Sequence, residues 1–203
     1  MLIKNSEIIT FLKCPSTGQK LILKKNSGDY FTSEDGSYIY EVWNDTPILI
    51  DNEHSIITLD DFKSYVPVII RKNYIGILSF FKRIISPPKP KTKKNVNILI
   101  QNLKYLEVNS KVLIVGGGTI GQGMEYFYKS SNVDLVSFDI YISPNINFIA
   151  DAHQIPLQDG YFDAVIIQAV LEHVLEPQKV VHEIHRVLKP NGLVYAETPF
   201  LQQ

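Results

Sequence analysis

The chain has 203 residues, enough for one full domain or for a domain with a small module. Hydrophobic residues make up 45% and charged residues 20%, which gives no ground for expecting disorder, and a net charge of −1 offers no overall attraction to nucleic acid. A single cysteine, Cys14, excludes an intramolecular disulfide and fits a reducing, cytoplasmic setting.

The opening "MLIKNSEIIT" lacks the apolar core of a secretory signal. Residues 8–51 then read as β-rich: "KLILKK", "YIYEVW" and "PILID" are predicted short strands, separated by the turn-prone "NSGD" and "SEDGS". Residues 60–86 are predicted to hold one or two helices with Ile75, Leu78, Ile84 and Ile85 on one face. Part of this stretch, Val66 to Ile85, is long enough to span a bilayer, but Arg71, Lys72, Lys82 and Arg83 argue against it. "SPPKPKTKKN" follows as a connector without expected regular structure. The predicted domains are therefore residues 1–55, a helical and connector region over 56–95, and residues 96–203.

From residue 96 the rhythm changes. "VNILIQNLKYLE" is a predicted helix, "KVLIV" a strand, and "QGMEYFYKS" a second helix. "DLVSFD", "NFIAD" and "FDAVIIQAV" are strands, the last apolar enough to be covered on both faces. "EPQKVVHEIHRVL" is a helix with Val180, Val181, Ile184, Val187 and Leu188 on one side, stopped by "KPNG" before the strand "LVYAET". Alternation of this kind predicts an α/β fold with a doubly wound parallel sheet.

The chemistry concentrates between the first and second of these strands. "VLIVGGGTIGQG" places Gly116, Gly118 and Gly121 in a strand–turn–helix setting, where backbone can approach a ligand closely and unpaired N–H groups can face an anion. Asp139 ends the next strand, followed by Ile140, and its carboxylate can accept both ribose hydroxyls. Glycines and carboxylate together predict an adenosine-type cofactor, and they leave a dinucleotide and S-adenosylmethionine (SAM) both open.

The later segments "DAHQIPLQDGYFDAV", "LEHV" and "EIHRVLKPNG" resemble the class I SAM-dependent methyltransferases of the type 11 group. The resemblance covers residues 96–203 and implies a Rossmann-like sheet, SAM as cofactor, Asp151 at the adenine amino group and Ala152 against the ring; His153, next in the chain, either lines that pocket or is an exposed loop histidine. It also implies an acid two residues before the first loop glycine, where this chain has Ile114, and a C-terminal strand pair after "LVYAET" that the sequence, ending at Gln203, is expected to lack, as a fragment or an abbreviated fold. No Asn-Pro-Pro-Tyr-like motif follows the fourth strand; Gln168-Ala169-Val170 stands there instead. "FLKCPSTGQKLIL" with the strands that follow resembles the zinc-ribbon-like domain of methyltransferase activators. Cys14 is the one thiol, so no metal site is expected.

His173, just past the fourth strand, is the candidate general base, and a helix-capping or wall role is the competing reading. "HEIH", His182 to His185, lacks the spacing of a zinc motif, and Asp159 and Asp163 are explained as well by turns as by catalysis. The basic residues around "GILSFF" suggest a weak membrane-surface contact over residues 75–94, against a helix packed over the cofactor cleft and then a solvated loop as the plainer account. The expected activity is methyl transfer from SAM to a small molecule, sugar or lipid-linked glycan. A non-catalytic partner subunit is the alternative, and an NAD-dependent oxidoreductase is a weaker one.

Overall fold

The computed structural model describes residue 2 and residues 5–25, 28–55, 90–105 and 109–198. The helices expected over 60–86, and most of the basic stretch at 75–94, lie outside the described residues.

The described strands are β1 (Leu21–Lys25), β2 (Asp29–Ser33), β3 (Ile39–Trp43), β4 (Thr46–Leu49), β5 (Ser110–Val115), β6 (Val133–Asp139), β7 (Phe148–Ala150), β8 (Phe162–Gln168) and β9 (Leu188–Glu197). They form a single 9-stranded sheet in the order β1-β2-β3-β4-β7-β6-β5-β8-β9. The expected doubly wound sheet is its larger part: β7, β6, β5, β8 and β9 are all parallel. Strand order reverses between β5 and β8, so a crevice opens at their carboxyl ends. Central strands are apolar on both faces, as "VLIV" and "AVII" require: Val112 to Val115 and Ala164 to Ile167 are all buried.

Among the described residues, two helices cover one face. Helix α2 (Pro90–Tyr105) and the short α3 (Glu125–Lys129) bring Val96, Leu99, Leu103 and Phe127 against Val112, Ile114, Leu135 and Ile166. The other face takes α4 (Pro177–Val187) through Val180, Ile184 and Val187, together with the single-turn α1 (Asn5–Ile8) and the 3₁₀ turn Ile9–Phe11. Helix α2 begins six residues earlier than the expected helix start. "PKTKKN" is helical because proline suits the first helical position and the lysines can stay solvated there.

The N-terminal strands form an antiparallel meander, including a strand, β2, that the sequence reading passed over. Asn44 and Asp45 both have positive φ, 47° and 60°, and make the two-residue hairpin turn between β3 and β4. The meander continues the main sheet, because β4 pairs in parallel with β7 through Ile48↔Ile149 and Leu49↔Ala150. Cys14 is buried with its sulfur 3.1 Å from the Tyr40 hydroxyl. Helix α4 ends before "KPNG", as expected, and that tetrapeptide is a bulge at the start of β9 with Asn191 at φ 64°.

Candidate functional site

The glycine loop leaves β5 at the crevice. Gly116 has φ 77°, and a Cβ there would lie 2.2 Å from Val170 Cγ2, so an L side chain would meet both strain and a clash. The Gly116 and Gly117 N–H groups donate to the Phe138 carbonyl at 3.0 Å. Ser143 Oγ, at 2.6 Å, and Asn145 Nδ2, at 3.3 Å, donate to the Gly118 carbonyl. Helix α3 starts only at Glu125, and the N–H groups of Gly116, Gly117 and Gly118 are all spent on β6, so the open N–H groups expected of this loop are not found at its three leading glycines.

Asp139 ends β6 directly beneath this loop. Its carboxylate accepts from Gly118 N–H at 2.8 Å and from Ile140 N–H at 2.7 Å. Burial raises its pKa despite these bonds, so the ionised form is held at a cost that a hydrogen-bonding ligand would offset. Gly118 must lack a side chain here, since a Cβ would come within 2.7 Å of Asp139 Oδ2.

Asp151 follows β7 and is almost buried, its side chain 7% exposed. Ser55 Oγ donates to Oδ2 at 2.6 Å, while His153 N–H, at 2.9 Å, and His153 Nδ1, at 2.6 Å, meet Oδ1. His153 Nε2 accepts from Glu176 N–H at 3.2 Å, which leaves Nδ1 as the protonated nitrogen. Burial alone would raise the Asp151 carboxyl, but the Ser55 and His153 bonds hold it below its ordinary value. Ala152 is buried beside it.

Loop, Asp139 and Asp151 thus stand in a row on the carboxyl ends of three adjacent strands. Residues 117–196 match the methyltransferase domain family model Methyltransf_11. The chain is 40% identical to a demethylmenaquinone methyltransferase of Paenarthrobacter aurescens over 45% of its own length and 40% of that protein's. It is 30% identical to the ubiquinone/menaquinone biosynthesis C-methyltransferase UbiE of Pectobacterium atrosepticum, over 41% and 40% of the two chains. The chain therefore spans about two fifths of the length of these relatives. Among solved structures it resembles a phosphoethanolamine N-methyltransferase of Haemonchus contortus bound to SAM, at 18% identity and TM-score 0.41 over 51% of this chain and 27% of that one.

Other residues singled out from the sequence lie elsewhere in the methyltransferase-like part. His173 is exposed beyond β8, its backbone N–H donating to the Val170 carbonyl, and its imidazole has no hydrogen bond among the described residues. His182 and His185 are exposed on α4, and among the described residues no group of His, Cys, Asp and Glu could hold a metal ion. Asp163 accepts from Lys111 N–H at 2.8 Å and Lys189 Nζ at 2.6 Å, and Asp159 pairs with Lys13 and Arg186. Both carboxylates brace the opposite end of the sheet.

Sequence reasoning missed a polar cluster beside the crevice. Glu197 accepts from Gln168 Nε2 (2.9 Å), Tyr195 hydroxyl (2.7 Å) and Thr92 Oγ1 (2.7 Å). A signal was available: Ala164, Ile166 and Gln168 share one face of β8, and the third is polar where the first two are packed.

Proposed function

We propose that this chain binds SAM across the glycine loop, Asp139 and Asp151, and that it is a methyltransferase acting on a small molecule. The observation that carries the reading is the row itself, loop then Asp139 then Asp151 with Ala152, at the sheet's switch point. The residues present fit the cofactor. Gly116 and Gly118 give backbone access for the amino-acid end, Asp139 provides a carboxylate for the ribose hydroxyls, and Asp151, Ala152, His153 and Ile140 offer walls for the adenine. The family match over residues 117–196 supports SAM over NAD.

Bound SAM would supply an electrophilic methyl group for in-line displacement. The chain's own contribution is then positioning and exclusion of water. His173 is the candidate base wherever the acceptor must lose a proton, since it is exposed beside the crevice. The names of the relatives favour a quinone-type ring as acceptor, in place of the sugar or lipid-linked glycan expected from the sequence. The meander over residues 21–49, part of the stretch from Phe11 to Asp51 whose sequence resembles the activator domain, is read as a built-in support for the adenine end.

Calorimetric titration with S-adenosylhomocysteine, with NADH in parallel, tests the cofactor. Binding of the first alone is expected, and binding of NADH alone would overturn the reading. A demethylated quinol is the first acceptor to assay. His173→Ala is expected to lower turnover while leaving S-adenosylhomocysteine affinity unchanged, and equal turnover would remove the base assignment.

A further inference from the structure

We propose that the side-chain carbonyl of Gln168 receives the ammonium group of the cofactor's amino-acid end. This rests on the SAM reading above and names a ligand-holding residue within it. The amide of Gln168 has a fixed orientation, because its Nε2 donates to Glu197 Oε2 at 2.9 Å. Turning it over would set carbonyl oxygen against carboxylate. Glu197 in turn is held by Tyr195 and Thr92, so the amide is braced from behind.

The consequence lies on the other side. Gln168 Oε1 is buried and has no hydrogen-bond partner among the described residues. It faces the glycine loop closely enough that a Cβ on Gly121 would lie 1.8 Å from it. Beside it is a cavity of about 20 Å³ lined by Ile114, Gly116, Thr119, Gly121 and Met124 along with Gln168 itself. That is room for one water-sized group, and an orphaned acceptor calls for a donor there. Ile114, on the neighbouring strand, has no acceptor to offer. An alkylammonium fits these terms: it is compact, carries three N–H donors, and is attracted by the Glu197 carboxylate lying behind the amide.

The test is calorimetry on the full chain with three ligands: S-adenosylhomocysteine, its desamino analogue, and methylthioadenosine, which lacks the amino-acid end. Wild type should prefer S-adenosylhomocysteine over the desamino analogue by roughly tenfold or more, as for a hydrogen bond to a charged group. Gln168→Met should abolish most of that preference and leave methylthioadenosine binding unchanged, which also certifies the fold of the variant. A preference retained in Gln168→Met would overturn the proposal, leaving a water as the carbonyl's partner. Equal weakening of all three ligands would overturn it as well, by making the amide structural. Wild type that binds the first two ligands alike would sink this proposal only, whereas wild type that binds none of the three would sink the cofactor reading with it.

Discussion

Arg186 is a place outside the proposed ligand site where a single polar substitution should be costly. Its Nε and Nη2 meet the two oxygens of Glu183 at 2.7 and 2.6 Å, and its Nη groups donate to the Leu157 carbonyl at 2.8 Å and the Ile155 carbonyl at 2.7 Å. Glu183 also accepts Ile155 N–H at 2.8 Å, so the pair clamps the loop between Asp151 and Asp159 onto α4. The guanidinium is only 24% exposed and Glu183 only 16%. Arg186→Met keeps the aliphatic stem but leaves two carbonyls without this donor and a mostly buried carboxylate with only the Ile155 N–H among the described residues. Removing one partner of such a pair costs about 3–5 kcal/mol. The further bond to Asp159, a carboxylate 60% exposed, adds little to that. For a chain of this size the loss corresponds to a fall in Tm of roughly 6–20 °C. Urea unfolding of wild type, Arg186→Met and Arg186→Lys would read it, with unchanged m-values licensing the comparison. Lysine retains the charge without the fork, so it should recover less than half of the loss. A cost under about 1 kcal/mol for methionine, or a wild-type midpoint for lysine, would refute the clamp.

Three further predictions concern the ligand side. Asp139→Ala should weaken S-adenosylhomocysteine binding by roughly 10–150-fold in calorimetry, the loss of a charge-assisted hydrogen bond of about 1.5–3 kcal/mol; unchanged affinity would remove Asp139 from the site. Gly121→Ala should displace the Gln168 amide, with which its Cβ would collide, and cost about 1–3 kcal/mol in stability, read by thermal melts. Ser55→Ala removes a donor that lowers the Asp151 pKa, so its effect should depend on pH. A depressed carboxyl contributes stability above its unfolded pKa of about 3.9, and that contribution is lost as pH falls through the lower folded value. The Tm gap between wild type and Ser55→Ala should therefore be open at neutral pH and close in acid; a gap constant with pH would count against the Ser55–Asp151 bond.

The parts legible in the sequence were those written in local period. The parallel strands from residue 110 onward announce themselves as apolar runs between turns, and the glycine loop with Asp139 as a strand–turn–helix signature. What escaped depends on partners distant in sequence. Nothing local in "TPIL" tells that Ile48 pairs with Ile149, and nothing in "DYFTS", short and flanked by turns, marks a strand. Composition makes "SPPKPKTKKN" a connector, but it does not distinguish a linker from a helix start with proline at its first position. The run "PLQDGYFD" served to recognise the family resemblance, yet its two aspartates turn out to be braces. Glu197 escaped because its meaning comes from Thr92 and Gln168, on other elements.

The meander and the Asp151 end of the crevice form one mechanical unit. Strand β7 is three residues long and meets β6 through only Phe138↔Phe148 and Asp139↔Ile149. A strand so short has little stability of its own, and here the β4 pairing of Ile48 and Leu49 provides its second edge. Ile48, Ile50, Ile146 and Ile149 pack as a separate buried cluster across the same boundary, and Ser55 reaches over it to Asp151. Asp151 leaves this strand directly, so its position is set as much by the N-terminal residues as by the parallel sheet. Ligand contact at Asp151 would therefore be felt in the meander, and loosening of the meander would be felt at Asp151, because both bear on the same strand.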